Sequence, residues 1–261
     1  MKVLILGNSN DTGTFVPESA KRHVHMREML AEEFGVPVEI VVRNVWPNER
    51  MVDYVVKGVE EIQPDMVYVN VTNYPYSYES TPLKVKRIFG KVGGEKLGDA
   101  GLRAADSRKW SHNAVFRGMR RAAQATIGGD THFTPEEVID RYQRLIRALL
   151  RQEGMVVAVK GPMGKSKKAT ARATARAERR RQIVHTSLRQ FCQQLHVFYL
   201  GSDLPYHDIK PTGKGTRVGD GLHSNPEGHR ISADEHFEVV RDAWRKHLDA
   251  EARADASATA R

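Results

Sequence analysis

Short apolar segments alternate with amphipathic helical segments along most of this chain, and that alternation limits the folds open to it. The strand candidates lie at residues 3–6, 36–42, 66–71, 155–159 and 197–200. They are almost continuously apolar, which is typical of strands buried on both faces of a parallel sheet. The sequence therefore predicts an α/β fold.

The helix candidates lie between these strands. They cover residues 17–34, 49–62, 134–152 and 224–248. The third begins with Thr-Pro-Glu-Glu at residues 134–137, a capping box with proline at the first helical position. Helices alternating with five parallel strands predict one flavodoxin-like, three-layer α/β/α domain over residues 1–249.

Two insertions and a tail interrupt this pattern. The first insertion spans about residues 74–129, with helix-like pieces near 82–89 and 113–125. The second, about 163–181, holds a stretch at 165–181 with eight Lys or Arg and one Glu, which is seven of the nine net positive charges. It has no aromatic residues for base stacking, so nucleic-acid binding is not expected. We interpret it as a solvated, partly helical segment, with contact to an anionic partner as the alternative.

Residues 250–261 lack large apolar side chains and are predicted to form a disordered tail.

A single cysteine, Cys192, excludes an intrachain disulfide framework and a cysteine zinc cluster. It lies in a helical pattern and is expected to be a small buried hydrophobe.

The apolar run after Lys2 is shorter than a secretory core, and no run approaches the length of a membrane span. We therefore expect a cytoplasmic protein; the sequence does not predict its oligomeric state.

Chemically useful side chains follow several of the predicted strands. Ser9 follows the first strand, Asn73 the third, and Asp220 and His223 lie in the long loop after the fifth. In a doubly wound sheet, ligands bind beyond the carboxyl ends of the strands. We therefore expect these four residues to converge on one rim of the sheet.

Together these residues suit nucleophilic catalysis. A serine hydroxyl becomes nucleophilic when an imidazole accepts its proton, and the imidazole needs an acceptor on its other nitrogen. Ser9 is thus the candidate nucleophile, His223 the base and Asp220 its orienting carboxylate. The Ser9 N–H and the Asn73 amide are candidate oxyanion donors. As alternatives, Ser9 and Asn73 would serve only as caps, Asp220 as a turn residue and His223 as a surface histidine.

Three short stretches carry a resemblance to the SGNH/GDSL hydrolases. GNSN at residues 7–10 resembles their first block, usually written GDS, and VTNY at 71–74 resembles their G-x-N-D block. DGLH at 220–223 resembles their final D-x-x-H block and is the most specific match. The resemblance implies a flavodoxin-like fold, a Ser-Asp-His hydrolase acting on a small-molecule ester, and no metal or organic cofactor.

The chain departs from this family pattern at several positions. Asn8 replaces the usual aspartate before the serine, and Val71 and Tyr74 replace the flanks of the third block. The family's glycine oxyanion donor after the second strand would fall near Pro47, which has no N–H. Either Asn48 or Asn44 supplies that donor, or the site has two donors, or catalysis is weak or altered.

Two further expectations and two rival functions complete the interpretation. Tyr74 and Tyr76 either line a substrate pocket or pack as part of a lid, and His229 is expected to pack on the first turn of the last helix. One rival function is a catalytically silent SGNH-like binding module. The other is a flavodoxin-like binder of phosphate or flavin, because the polar loop at residues 8–14 resembles loops that hold phosphate with backbone N–H groups.

Overall fold

Five parallel strands form one sheet in the part of the chain that the computed structural model describes, which comprises residues 1–80, 83–84, 118, 129–163, 171–201, 216, 218 and 223–259. The strands are β1 (Lys2–Gly7), β2 (Glu39–Asn44), β3 (Met66–Asn70), β4 (Val156–Lys160) and β5 (Phe198–Leu200). Their spatial order is β2-β1-β3-β4-β5, and every neighbouring pair is parallel. The predicted flavodoxin-like α/β fold is confirmed.

Helices cover both faces of this sheet. They are α1 (Ser9–Thr12), α2 (Arg22–Phe34), α3 (Met51–Ile62), α4 (Tyr74–Ser77), α5 (Pro135–Leu149), α6 (Ala171–Gln194) and α7 (Pro226–Thr259), with a 3-10 turn at Glu18–Ala20. One apolar core lies between the sheet and helices α3, α5 and α6. A second core lies between the sheet and helices α2 and α7. The three layers thus follow from burying both faces of the sheet.

Alternate residues of the central strands enter opposite cores. In β1, Leu4 and Leu6 belong to the first core, and Val3 and Ile5 to the second. All four side chains are at most 2% exposed. This burial on both faces explains why the strands show no apolar–polar alternation in the sequence.

The strand order places a switch point between β1 and β3. Their connections leave toward opposite sides of the sheet, which opens a crevice at the carboxyl ends of these two strands. The segments that border the crevice begin at Asn8 after β1, Val71 after β3 and, on the flanking strands, Val45 after β2 and Gly161 after β4. The predicted site residues follow these strands.

The second strand begins later than the sequence predicted. The apolar pattern placed it at residues 36–42, whereas β2 covers Glu39–Asn44. Helix α2 ends at Phe34, and its C-cap Gly35 has a φ of 63°, in the left-handed region that glycine adopts without strain. Pro37 then has no N–H for a strand ladder, and Val36 is exposed at the helix–strand connection.

The last helix is longer than predicted. Residues 250–261 were expected to be a disordered tail, but α7 continues to Thr259. This part of the helix is exposed along its whole length, so packing does not hold it. Its alanines and arginines have high helix propensity, and the Ser257 and Thr259 hydroxyls donate to backbone carbonyls one turn earlier. Local preferences therefore extend the helix past the last apolar contact.

The two insertions are described only in part. The predicted helical pieces at 82–89 and 113–125 lie outside the described residues, except for positions 83, 84 and 118. The C-terminal part of the basic stretch lies in α6, which begins at Ala171. This part was expected to be solvated, but some of its arginines are buried or form ion pairs. Arg181 is 1% exposed and pairs with Glu178, while Arg176 and Arg180 pair with Glu79. Arg176 and Arg180 thus join α6 to the segment that follows β3, and Arg181 donates to the Pro162 carbonyl after β4.

Two smaller expectations can be compared with the structure. Cys192 is fully buried in the first core, as predicted, and burial raises the pKa of its thiol to about 12. Among the described residues, none of the helices combines the length and apolar character that crossing a membrane requires.

His229 couples the stability of this fold to pH. Burial, together with the nearby Arg22 charge, lowers the pKa of its imidazole from 6.5 to about 4. Because the folded pKa is depressed, the unfolded chain binds the proton more readily below pH 6.5. We expect this group to lower the free energy of unfolding by about 3 kcal/mol as the pH falls from 6.5 to 4. Urea titrations across this range would measure it.

The matched variant is His229→Asn, which removes the titrating group and keeps an acceptor for the Arg22 N–H that donates to His229 Nδ1. The difference between the two proteins isolates His229 from the other carboxyl and imidazole groups. Equal slopes in both proteins between pH 6.5 and 4 would contradict the assignment.

Candidate active site

Ser9 and His223 meet at the rim of the sheet. The Ser9 Oγ lies 3.0 Å from the His223 Nε2, although 214 residues separate them in the sequence. Ser9 is the first residue of α1, directly beyond β1, and His223 lies just before α7. This is hydrogen-bond distance, and the hydroxyl can donate to Nε2 when the imidazole is neutral with its proton on Nδ1.

The third member of the predicted triad, Asp220, lies outside the described residues. The residues on either side of that segment are in contact, because the Val218 N–H donates to the His223 carbonyl at 2.9 Å. The Asn225 N–H donates to the Thr216 carbonyl in the same region. The assignment of Asp220 therefore stays a prediction.

The nucleophile loop, residues 8–13, is held by its own side chains. Asn8 is the N-cap of α1, and its Oδ1 accepts from the Asn10 N–H at 2.9 Å. The Asp11 carboxylate accepts from the Asn8 N–H at 2.8 Å, which completes a capping box. Asn8, which departs from the family pattern, thus fixes the backbone on either side of Ser9.

Two contacts that the sequence analysis did not foresee join this loop to the histidine loop. The Asn10 Oδ1 accepts from the Ser224 N–H at 2.8 Å. The Phe15 ring is stacked on the His223 imidazole, with ring centroids 3.8 Å apart and planes 15° from parallel. Asn10 stands in the quoted GNSN stretch, but no local pattern marks Phe15, because its partner is distant in the sequence.

A buried polar network lies behind the nucleophile loop. The Asp11 carboxylate, 1% exposed, accepts from the Nε and Nη2 of Arg22. Arg22 Nη1 lies 2.9 Å from His236 Nε2, and His236 Nδ1 lies 2.7 Å from the Tyr68 hydroxyl. Burial holds the pKa of Tyr68 well above its usual value. His229 adds to this network through the Arg22 N–H, in agreement with its predicted structural role.

This network, which we call the Asp11 network (Asp11, Arg22, His236 and Tyr68), was also not foreseen. Arg22 and His236 occur in helical segments where charged residues are usually solvated. Their burial depends on α2 and α7 packing side by side over the sheet.

Asn73 lies beyond β3, at the N-cap of α4. Its Nδ2 donates to the Met163 carbonyl in the segment after β4, and its Oδ1 accepts from the Tyr76 hydroxyl at 2.9 Å. The amide is therefore held in a fixed orientation between two strand ends. Nδ2 carries two hydrogens, and the hydrogen bond to the Met163 carbonyl uses one of them.

Tyr76 does not line a pocket. Its side chain is fully buried in the first core, and its hydroxyl contacts Asn73. This burial contradicts the prediction that Tyr76 lines a substrate pocket and agrees with the alternative that it packs. In α4 the Tyr76 ring belongs to the first core, whereas the Tyr74 ring contacts Trp46 and Tyr78.

The Asn48 backbone N–H and side-chain oxygen are used within their own turn. Asn48 is exposed; its N–H donates to the Trp46 carbonyl at 2.7 Å, and its Oδ1 accepts from the Arg50 N–H. Asn44 is an exposed residue at the end of β2. The Pro47 carbonyl accepts from the buried Arg141. This loop is thus braced from α5, and the assignment of Asn48 or Asn44 as an oxyanion donor stays a prediction.

An aromatic cluster lies beyond β2 and β3, and Tyr74 belongs to it. The Tyr74 ring stacks on Tyr78 at 4.8 Å and lies 6.0 Å from Trp46. The His132 ring meets the Trp46 ring edge-on at 5.2 Å, and burial lowers the pKa of its imidazole. Trp46 keeps 38% of its surface exposed. The cluster therefore presents an aromatic surface on the same rim as Ser9.

Comparison with known proteins supports the fold. No family model and no curated protein sequence matches this chain. Among solved structures, the psychrotrophic esterase EstA from a Pseudoalteromonas species is similar over 94% of this chain and 98% of its own, with 9% identity and a TM-score of 0.54.

Two more solved structures show the same similarity. An acetyl xylan esterase, AlAXEase, is 15% identical over 92% of this chain and all of its own, with a TM-score of 0.50. A putative lipolytic protein of the G-D-S-L family from Desulfitobacterium hafniense is 9% identical over 91% of this chain and 98% of its own, also with a TM-score of 0.50. The resemblance to the SGNH/GDSL hydrolases is therefore confirmed at the level of the fold.

Proposed function

We propose that this protein is a serine hydrolase that cleaves a carboxylic ester of a small molecule. The observation that carries the proposal is the 3.0 Å contact between Ser9 Oγ and His223 Nε2 at the carboxyl end of β1. Two of the solved structures with this fold are named as esterases, which agrees with this chemistry. Since one fold hosts many functions, the side-chain geometry is the stronger support.

The reaction follows from these groups. The Ser9 oxygen attacks the ester carbonyl while His223 Nε2 accepts the hydroxyl proton. The tetrahedral intermediate collapses, His223 passes the proton to the leaving alcohol, and an acyl-serine remains. Water then attacks the acyl group, with His223 again as the base, and the acid is released. Asp220 is the proposed acceptor for the other imidazole nitrogen.

The oxyanion donors proposed are the Ser9 N–H and the second N–H of the Asn73 amide. Ser9 occupies the first position of α1, where a helical N–H has no intrahelical acceptor. The contacts of Asn73 with Met163 and Tyr76 keep its amide in place before substrate binds, as electrostatic stabilisation requires. This arrangement uses two donors and does not need a third from the loop at Pro47.

The aromatic cluster is the proposed wall of the substrate pocket. Trp46 and Tyr74 follow β2 and β3, the two strands that flank β1, so they border the position of Ser9. Aromatic side chains of this kind contact the apolar part of a bound molecule. Tyr74 thus keeps the pocket role that the sequence suggested for it.

The phosphate- or flavin-binding alternative has less support. Such a site needs backbone N–H groups that point at the ligand. In the nucleophile loop, the Asn8 and Asn10 N–H groups donate to side chains of the same loop. The N–H groups of Asp11 and Gly13 donate to the loop's own carbonyls.

A fluorophosphonate probe tests the proposal against the silent binding module. The peptide at residues 3–21, released by cleavage after Lys2 and Lys21, contains two serines, Ser9 and Ser19. Ser19 is an exposed residue of the 3-10 turn and serves as an internal comparison. We expect fragment-ion mass spectra to place the label on Ser9 alone, because only this hydroxyl has an imidazole to accept its proton.

Heat-denatured protein is the control and should not be labelled. A folded sample without label on Ser9, or with equal labelling of both serines, would exclude the hydrolase and favour the binding module.

A further inference from the structure

The Phe15 ring lies flat against His223 without being buried itself. The ring centroids are 3.8 Å apart, and the planes differ by 15°. Phe15 keeps 37% of its surface exposed. An exposed phenylalanine gains little from core packing, so its placement against this one imidazole calls for a local explanation.

The nucleophile loop provides that explanation. A Cβ on Gly13 would lie 2.6 Å from the Phe15 ring and would also collide with the Ser9 carbonyl, so the absence of a side chain there makes room for the ring. Val16, the next residue after Phe15, is buried and anchors the chain beyond it. The Asn10 contact with Ser224 holds the histidine loop against the same segment.

One segment therefore contacts His223 in two ways. Ser9 meets an atom on the edge of the imidazole, and Phe15 covers one face. The first contact sets the position of Nε2, and the second sets the plane of the ring. Together they restrict both the distance and the direction of proton transfer from Ser9.

We propose that Phe15 is a positioning residue for His223 and that its ring face stabilises the imidazolium formed when Ser9 gives up its proton. A cation over an aromatic face is attracted by the negative face of the ring, whereas a neutral imidazole is attracted much less. The contact is therefore stronger in the transition state than in the resting enzyme. Interactions of that kind raise kcat and leave KM nearly unchanged.

This inference rests on the proposed hydrolase function and predicts a specific split in the kinetic constants. Phe15→Leu keeps an apolar side chain but removes the aromatic face. We expect kcat for a short aryl ester to fall about tenfold, within a range of roughly 2- to 30-fold, with KM nearly constant. Phe15→Tyr and Phe15→Trp keep an aromatic ring face at this position, so their kcat should stay within about threefold of that of the unsubstituted protein.

A series of fluorinated phenylalanines at position 15 separates electrostatics from shape. Successive ring fluorines weaken the negative face and change the volume little. We expect kcat to fall step by step with the number of fluorines. A constant kcat across the series, or a Phe15→Leu effect confined to KM, would overturn the proposal.

Tyr54→Leu is the matched control. Tyr54 is an exposed aromatic residue on α3 that contacts Arg43, and neither residue belongs to the proposed site. The control should leave kcat and KM unchanged. Thermal unfolding of every variant checks that the fold is intact.

A spectroscopic measurement distinguishes failure of this inference from failure of the hydrolase proposal. The stacked ring is expected to shift the NMR signals of the His223 ring protons upfield, and Phe15→Leu should remove that shift whether or not the protein hydrolyses esters. An absent shift in the original protein overturns the inference by itself. A present shift in a protein that neither hydrolyses esters nor labels at Ser9 overturns the function, and with it the catalytic role of Phe15.

Discussion

Replacing Ser9 with alanine is expected to lower kcat for a short aryl ester by about 10⁴- to 10⁶-fold. The hydroxyl is the group that would form the acyl intermediate, and it lies 3.0 Å from the His223 Nε2 that would accept its proton. The residual rate would come from the oxyanion donors and from substrate binding. Initial rates over a range of ester concentrations, at constant enzyme concentration, measure the change.

The control for this variant is Ser19→Ala, a change of the same size at an exposed serine ten residues away. It should leave the rate within about twofold, since surface substitutions rarely disturb a fold. The double variant Ser9→Ala/His223→Ala should be little slower than either single variant, because the two groups act as a unit. A Ser9→Ala protein that keeps more than a tenth of the rate would falsify the nucleophile assignment.

Removing Arg22 is expected to give the largest loss of stability. Arg22→Met leaves the Asp11 carboxylate buried without the guanidinium that now donates to both of its oxygens. Breaking a buried pair by deleting one partner typically lowers the free energy of unfolding by about 3–5 kcal/mol. Methionine keeps most of the arginine's length, so a cavity contributes little. Urea unfolding followed by circular dichroism measures the change.

The comparison variant is Arg230→Met, which removes an arginine from an exposed pair with Glu227 on α7. Exposed pairs contribute at most about 1 kcal/mol, so this variant should unfold near the original urea midpoint. If Arg22→Met fails to fold, Arg22→Lys and the double variant Asp11→Asn/Arg22→Met remain measurable. The double variant should be more stable than Arg22→Met alone, because it buries no uncompensated carboxylate. Equal effects of Arg22→Met and Arg230→Met would show that the Asp11 network is unimportant.

The loss of Arg22 would also disturb the position of the proposed nucleophile, Ser9. Asp11 accepts from Arg22 and from the Asn8 N–H, one residue before Ser9. A buried carboxylate that loses its cation must find another partner or become protonated. Either change weakens the capping box that fixes the start of α1. Stability and nucleophile position are thus linked through one side chain.

Much of the fold could be predicted because burial on both faces leaves a local signature. The strand around Leu4 and Ile5 is apolar at consecutive positions for that reason. The capping box at Thr134 was visible because both of its partners lie within four residues. Several boundaries were misplaced, and those at β2 and at the end of α7 occur where apolar pattern and local backbone preference disagree. There, the left-handed Gly35 and the helix propensity of alanine decided the outcome.

The sequence predicted part of the candidate site, and the other contacts are visible only in the tertiary structure. Ser9 and His223 could be paired from the sequence because parallel strands bring their carboxyl ends to one rim. Tyr76 was misplaced, because spacing on a short segment does not show which ring turns toward the core. Arg22, His236 and Phe15 escaped notice, since each looks like an ordinary surface or loop residue beside its own neighbours.

By itself, the sequence determined which segments are strands, which end of the sheet carries polar chemistry, and which serine and histidine stand there. These properties depend on local periodicity and on the topology of a parallel sheet. The tertiary structure alone decided how the imidazole is held, through the Phe15 ring and the Asn10–Ser224 contact. It also decided that Asp11 is neutralised inside the fold by Arg22. Such contacts join residues brought together by helix packing, and their free energy appears only when water is excluded from both partners at once.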